Sequence, residues 1–188
     1  MEKGYPSNKN YNLFHNINNF SFRGANIRTM MDDLVERVHY DPSLKKSYLA
    51  IFIGTNGYEH NNPDNYLNFI EDLIEACHGI VRLGFSKENL LIMSPLPRGE
   101  GKQKRNKQVG LLRTLHYRLK KHKFPVLNTF NKLPKGLRDD PTYLYGIEDQ
   151  KKKKYVHYST EVRKLYHHAL GDYLPNFLTD EQKGGQIY

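Results

Sequence analysis

The strongest guide to the fold is an apolar run that ends in a glycine-rich turn and is followed by an amphipathic helix. Residues 47–53 form the run, and Gly54, Thr55, Asn56 and Gly57 follow it directly. A nearly all-apolar run of this kind is typical of a strand in a sheet that is covered on both faces. Ligand-binding groups of open α/β sheets lie just beyond the carboxyl ends of strands, so Asn56 is predicted to lie where chemistry usually takes place. The alternative is a plain turn, because Asn-Gly is a common turn dipeptide.

Strand and helix patterns alternate along the rest of the chain. Apolar spacing predicts amphipathic helices over 27–38, from Pro63 to the stop at Gly84, over 109–119 and over 159–173. Apolar runs predict strands over 14–22, 47–53, 89–94 and 124–129. The remaining stretches 99–108 and 131–154 are predicted to be a loop and an irregular segment. This alternation favours parallel βαβ units with right-handed crossovers.

The length of the chain favours one domain with two short flanking segments. Its 188 residues suffice to bury a sizeable core. We expect a flexible arm over 1–12, a single α/β domain over 13–178 and a flexible tail over 179–188. The first twelve residues contain no hydrophobic signal core, and no apolar run is long enough to span a membrane. An intracellular location, in the cytoplasm or nucleus, is therefore expected.

The single cysteine points the same way. Cys77 has no partner for an internal disulfide, which suits a reducing compartment. It falls on the apolar side of the helix that starts near Pro63, so we interpret it as a core residue. The histidines show no ligand spacing with carboxylates or with Cys77, so neither a metal site nor a cofactor is predicted.

Positive charge is concentrated in one segment of the chain. Residues 98–123 contain ten lysines and arginines against the single acid Glu100, which equals the whole net charge of +9. Such a field favours polyanions, either nucleic acid or an anionic lipid surface. The alternative is a solvated helix face. If a polyanion binds, the predicted contacts are Arg98, Lys102, Lys104, Arg105 and Lys107.

Four short motifs together resemble the SGNH, or GDSL-type, hydrolase family. Gly54-Thr55-Asn56 after an apolar strand is similar to the third signature block, and 22–27, with Gly24 opening a helix, is similar to the second. His157 within 156–159 resembles the second half of the last block, Asp-x-x-His. Residues 90–98 resemble the strand and exit loop of a eukaryotic branch that retroelements often carry. The resemblance covers roughly residues 20–175 and implies a three-layer, flavodoxin-like α/β/α sandwich around a central parallel sheet.

The resemblance also implies site residues for acyl transfer. Gly24 would supply a backbone N–H and Asn56 a side-chain amide to an oxyanion hole, and His157 would be the general base. The family's nucleophilic serine sits on a Gly-Asp-Ser turn, and only Ser7 lies at a comparable distance before Gly24. Oxyanion-hole donors of this kind contribute about 3 kcal/mol to the transition state.

Two departures from the family pattern weaken the catalytic set. Pro6 stands where the family has the aspartate beside its serine, and no apolar strand precedes it. Lys154 stands where the family has the acid that orients the histidine. A cation there disfavours the protonated form of His157 and cannot accept its Nδ1–H.

Three interpretations therefore remain open. The chain is a degraded, inactive or weakly active SGNH-like domain that works as a basic binding module. Alternatively it is an active serine esterase that uses Ser7, His157, Gly24 and Asn56 on a small ester. A third interpretation is a piece of a longer polypeptide whose first strand lies upstream of Met1. The sequence leaves the oligomeric state open.

Overall fold

The computed structural model describes residues 25–54, 63–95, 102–136, 148, 151 and 159–165. Its elements in chain order are α1 (Ile27–Tyr40), a 3₁₀ helix (Pro42–Lys46), β1 (Leu49–Phe52), α2 (Pro63–Arg82), a 3₁₀ helix (Lys87–Asn89), β2 (Leu90–Met93), α3 (Lys102–Lys121), β3 (Val126–Leu127) and α4 (Thr129–Lys132). Residues 160–165 are also helical.

The three strands form one parallel sheet in the order β1-β2-β3. Ile51 is paired with Ile92 between β1 and β2, and Met93 with Leu127 between β2 and β3. Each crossover between neighbouring strands contains one long helix, as a parallel βαβ arrangement requires. The described part of the chain is therefore α/β, as the alternating pattern predicts.

The long helices pack side by side. Both crossovers step across the sheet in the same direction, so right-handed connections put α2 and α3 on the same face. In agreement with this, α2 packs against α3, and α1 packs against α2. These helices and the sheet enclose a core cluster that includes Ile51, Ile70, Leu73, Ile80, Leu90, Ile92, Leu115 and Leu119.

The central strand β2 is buried on both faces. Leu90 and Ile92 belong to the core cluster beneath the helices. Leu91 and Met93 alternate with them and so point to the opposite face, where they are only 1% and 7% exposed. Both faces of the sheet are therefore covered at β2.

Local capping signals define where the helices begin. The Asn26 side chain accepts a hydrogen bond from the Thr29 N–H at 3.0 Å, and the Thr29 hydroxyl accepts one from the Asn26 N–H at 3.0 Å. This reciprocal box confirms Asn26 as the predicted cap of α1. The Ser159 hydroxyl likewise accepts from the Val162 N–H at 3.3 Å and confirms the predicted start of the last helix.

Helices α2 and α3 end in the same motif, but with different residues. After α2, the Phe85 N–H bonds to the Ile80 carbonyl at 3.3 Å and Gly84 has a φ of 108°. After α3, the Phe124 N–H bonds to the Leu119 carbonyl at 3.0 Å. The left-handed position there is Lys123, with a φ of 58°. Glycine takes this conformation freely, whereas lysine is strained by about 1–2 kcal/mol.

Three sequence predictions need correction. The loop predicted over 99–108 is wrong from residue 102 onward, because α3 begins at Lys102. Apolar periodicity starts only at Val109, but the preceding Lys, Gln and Arg residues are strong helix formers. The strand predicted over 124–129 is only Val126–Leu127, and α4 starts at Thr129. Part of the irregular segment 131–154 therefore belongs to a helix.

Several other predictions fall outside the described residues. These are the arm over 1–12, the strand over 14–22 and the tail over 179–188.

Candidate functional site

The residues that the SGNH resemblance assigns to catalysis lie outside the described part of the chain. These are Ser7, Gly24, Asn56 and His157, and Lys154 lies outside it as well. Their roles stay predictions. The described residues at the carboxyl edge of the sheet are Gly54, Ser94 and the residues that follow β3.

Gly54 directs the chain away from the end of β1. It is buried and has a φ of 119°, in the left-handed region that favours glycine. Any other residue would be strained there, so the position that follows β1 and Ile53 requires glycine.

The ends of β2 and β3 are joined by a buried hydroxyl pair. The Ser94 and Thr129 hydroxyl oxygens are 3.0 Å apart, and the Ser94 hydroxyl also accepts from the Thr129 N–H at 3.2 Å. The Thr129 hydroxyl donates to the Ser94 carbonyl. Both residues are at most 1% exposed. Ser94 is thus a structural clamp and does not face solvent as a nucleophile would.

His116 lies beside this clamp on α3, and its tautomer is set by Asn128. The Asn128 Oδ1 caps α4 by accepting from the Asn131 N–H at 3.0 Å, so its Nδ2 is the atom that faces His116. The distance from Asn128 Nδ2 to His116 Nδ1 is 2.9 Å. Since Nδ2 donates, Nδ1 must accept, which puts the imidazole proton on Nε2.

The buried imidazole is held neutral. Burial lowers the pKa of His116 to about 4, and the charge of Lys120 acts in the same direction. The Nε2 atom is buried and has no hydrogen-bond partner among the described residues. With Nδ1 occupied by Asn128 and Nε2 protonated, His116 has no free lone pair and cannot replace His157 as a general base.

A pair of histidines joins α2 to the residues that follow α3. The distance from His78 Nε2 to His122 Nδ1 is 3.1 Å, and the rings of His78 and Phe124 form a T-shaped contact. Burial lowers the pKa of His78, and the neighbouring His122 and Lys87 lower it further. Within the described ranges, no group of three or more His, Cys, Asp or Glu side chains is placed to hold a metal ion.

Three cationic side chains and one tyrosine are exposed on the outer face of α3. Arg113, Lys120 and Lys121 are exposed there, and Tyr117 is 68% exposed among them. No acidic residue occurs anywhere in α3. We call these four residues the α3 outer face.

One cation of α3 is already neutralised. Arg118 is paired with Glu71 of α2 and so holds the two helices together. Arg113, Lys120 and Lys121 form no ion pair with any residue that the structure describes. These three charges are therefore free to attract an anion from solution.

The five residues predicted to contact a polyanion have no described side chains, whereas further cations of the same segment do. Lys102, Lys104, Arg105 and Lys107 lie in the helical backbone of α3, where their side chains are not described, and Arg98 lies outside the described residues. The surface defined by the structure is the C-terminal half of the same basic segment. Tyr117 is the part that charge analysis misses, because an outward-facing aromatic becomes visible only once the helix is placed.

The interaction between His116 and Asn128 also escapes the sequence. Helical spacing predicts that His116 faces the core, which the structure confirms. Asn128, however, is predicted to lie in a strand, and instead it caps α4. The signal that could have indicated the start of α4 is Asn128 itself, because asparagine is a preferred N-cap residue.

Comparison of the chain with protein-family models, with curated proteins and with solved structures gives no match. None of the helices described here is both long enough and apolar enough to cross a membrane.

Proposed function

We propose that this chain is an SGNH-hydrolase-like domain with a degraded catalytic set that binds polyanions through the α3 outer face. The observation that carries the proposal is the charge on α3. Three exposed cations stand together there with no carboxylate on the helix, while the fourth described cation within the helix body, Arg118, is paired with Glu71.

The three-layer SGNH-type sandwich is supported by the sheet. Its strands are parallel, and the stretch that resembles the third signature block, Gly54-Thr55-Asn56, follows β1 in the sequence, as the carboxyl-edge site of such a sheet requires. Burial of Leu91 and Met93 on the face opposite the packed helices agrees with a second covering layer. The left-handed φ of Gly54 agrees with the glycine that the third signature block has at this position.

Loss of catalysis is supported by two features. Lys154 replaces the acid that would orient His157, and losing the correct histidine tautomer in a serine triad lowers turnover by about four orders of magnitude. The described neighbours offer no substitute, because Ser94 is clamped by Thr129 and His116 has its Nδ1 occupied.

An esterase assay tests the catalytic part of the proposal. We expect the purified protein to show little or no hydrolysis of short p-nitrophenyl esters. The variant Lys154→Asp should not restore it, because the sequence before Ser7 has no apolar strand pattern that would hold this serine in place. Robust wild-type hydrolysis that disappears in both Ser7→Ala and His157→Ala would instead establish the active serine esterase, with Gly24 and Asn56 as its oxyanion hole.

A heparin-binding measurement tests the polyanion part. The triple variant Arg113→Gln/Lys120→Gln/Lys121→Gln should elute from immobilised heparin at clearly lower salt than the wild type. Its control is Arg28→Gln/Lys46→Gln/Lys132→Gln, which removes the same charge from exposed positions elsewhere. Equal losses in the two triple variants would mean that net charge alone binds heparin, and the α3 outer face would then have no special role.

A further inference from the structure

Tyr117 occupies the centre of the α3 outer face. Arg113 lies four residues before it, and Lys120 and Lys121 lie three and four residues after it. These spacings put all four side chains on one side of the helix. Tyr117 is 68% exposed and makes no hydrogen bond or ring contact with any described residue. Its aromatic face is therefore available to a ligand between cations.

An exposed aromatic ring surrounded by cations matches the chemistry of single-stranded nucleic acid. Unpaired bases stack on aromatic side chains, and the phosphates on either side are held by lysine and arginine. Arg113 and Lys121 are eight residues apart, which is about 12 Å along a helix. This separation leaves room for phosphates on both sides of one stacked base.

The arrangement does not suit a membrane surface. A helix that lies on a lipid bilayer inserts an apolar face below its cationic face. The apolar face of α3, formed by Leu112, Leu115 and Leu119, is buried in the core of the protein. Among the side chains of α3 that the structure describes, Tyr117 is the one large exposed apolar group that could insert. Duplex nucleic acid fits less well too, because its bases are already stacked on one another.

We propose that the α3 outer face binds single-stranded nucleic acid, with a base stacked on Tyr117 and phosphates held by Arg113, Lys120 and Lys121. This inference rests on the polyanion-binding function proposed above and specifies its ligand. The inference predicts that affinity depends on the aromatic ring of Tyr117, whereas binding by charge alone would not depend on it.

The number of cations sets the expected salt dependence. Neutralising three phosphates of a single strand gives a slope of about −2 for log K against log salt. Raising the salt from about 50 to about 200 mM should therefore weaken binding about 20-fold, with any further lysines of α3 steepening the slope. Replacing Lys120 by Gln should reduce the slope by about 0.7.

The ring is tested by fluorescence anisotropy with a labelled oligouridine. Tyr117→Leu should weaken binding at least about 5-fold, the lower end of what one stacked base contributes. Tyr117→Phe should bind as the wild type does, because it keeps the aromatic face. The matched control is Tyr40→Leu, which removes a tyrosine that is 78% exposed at the end of α1 and should leave affinity unchanged. Circular dichroism of each variant establishes that it is folded.

Three competitors identify the ligand class. An oligouridine without label should displace the probe, whereas a duplex of equal length and vesicles of mixed phosphatidylcholine and phosphatidylserine should compete more weakly. Tighter binding to the duplex or to the vesicles would overturn the inference. So would equal affinities of the wild type and Tyr117→Leu for oligouridine.

The two assays together distinguish failure of the base-stacking proposal from failure of the polyanion-binding proposal. If heparin and oligouridine both bind through Arg113, Lys120 and Lys121 but Tyr117→Leu has no effect, polyanion binding is supported and base stacking on Tyr117 is refuted. If neither polyanion depends on these cations, both proposals fall together.

Discussion

His116 should make the stability of this protein sensitive to mild acid. In the folded chain its Nδ1 accepts from Asn128 at 2.9 Å and its pKa is about 4. In the unfolded chain the imidazole is hydrated and titrates at its ordinary value near 6.5. Because the folded pKa is the lower one, the unfolded state binds a proton first as the pH falls. The contribution of His116 to the free energy of unfolding is therefore fully present above about pH 6.5 and is lost progressively as the pH falls to about 4.

The size of this effect follows from the two pKa values. The difference between 6.5 and about 4, at 1.36 kcal/mol for each pKa unit, corresponds to about 3 kcal/mol of unfolding free energy. His116 is 8% exposed, so solvent screening reduces this figure little. Below about pH 4 the folded state binds the same proton, and the contribution of His116 stops changing. A loss of this size is a large fraction of the stability of a typical domain.

Urea unfolding at several pH values between about 7.5 and 4 measures the effect. His116→Gln removes the titrating group, so its free energy of unfolding should fall about 3 kcal/mol less over this range than that of the wild type. The control is His39→Gln, which removes an exposed imidazole from α1 and should keep the wild-type profile. Parallel pH profiles for the wild type and His116→Gln would refute the assignment of a buried neutral imidazole.

Three further predictions concern stability and reactivity. Lys123→Gly should raise the free energy of unfolding by about 1 kcal/mol, because it relieves the left-handed strain at φ 58°. Lys120→Gly, inside α3, should lower the free energy of unfolding by about 1 kcal/mol. Thermal unfolding of both variants measures the two changes. Burial raises the pKa of the Cys77 thiol to about 12, so Ellman's reagent should label it only as the protein unfolds in urea, and fast labelling of the native protein would contradict its core position. Leu115→Ala should destabilise the fold by about 2–5 kcal/mol, and the half-exposed Leu67→Ala much less, so equal losses would argue against the core described here.

Short-range signals in the sequence were sufficient for most of the framework. The Asn26 cap, the stop of α2 at Gly84 and the burial of Cys77 follow from capping chemistry and apolar spacing, and the structure confirms all three. The alternation of runs and helical stripes likewise predicts the parallel α/β sheet. These features depend on residues within a few positions of one another, which is why one sequence reveals them.

The site is less accessible from the sequence. The catalytic roles of Ser7, Gly24, Asn56 and His157 come from a resemblance and stay predictions. For the basic segment, charge counting locates the concentration of cations approximately. It does not tell which cations are free, since that depends on the pairing of Arg118 with Glu71 across two helices.

The sequence by itself thus determined the alternation of the described strands with the long helices, the caps at Asn26 and Ser159, and the place of the positive charge, but not the start of α3 or the short helix α4. Only the tertiary structure decided that burial keeps His116 neutral and Asn128 sets its tautomer, that His78 meets His122, and that Tyr117 points outward. Each of these depends on how separate elements pack, and packing is set by the fit of whole faces and not by any local residue pattern. The pKa of His116 has the same origin, because it comes from burial that exists only once the helices and the sheet have come together.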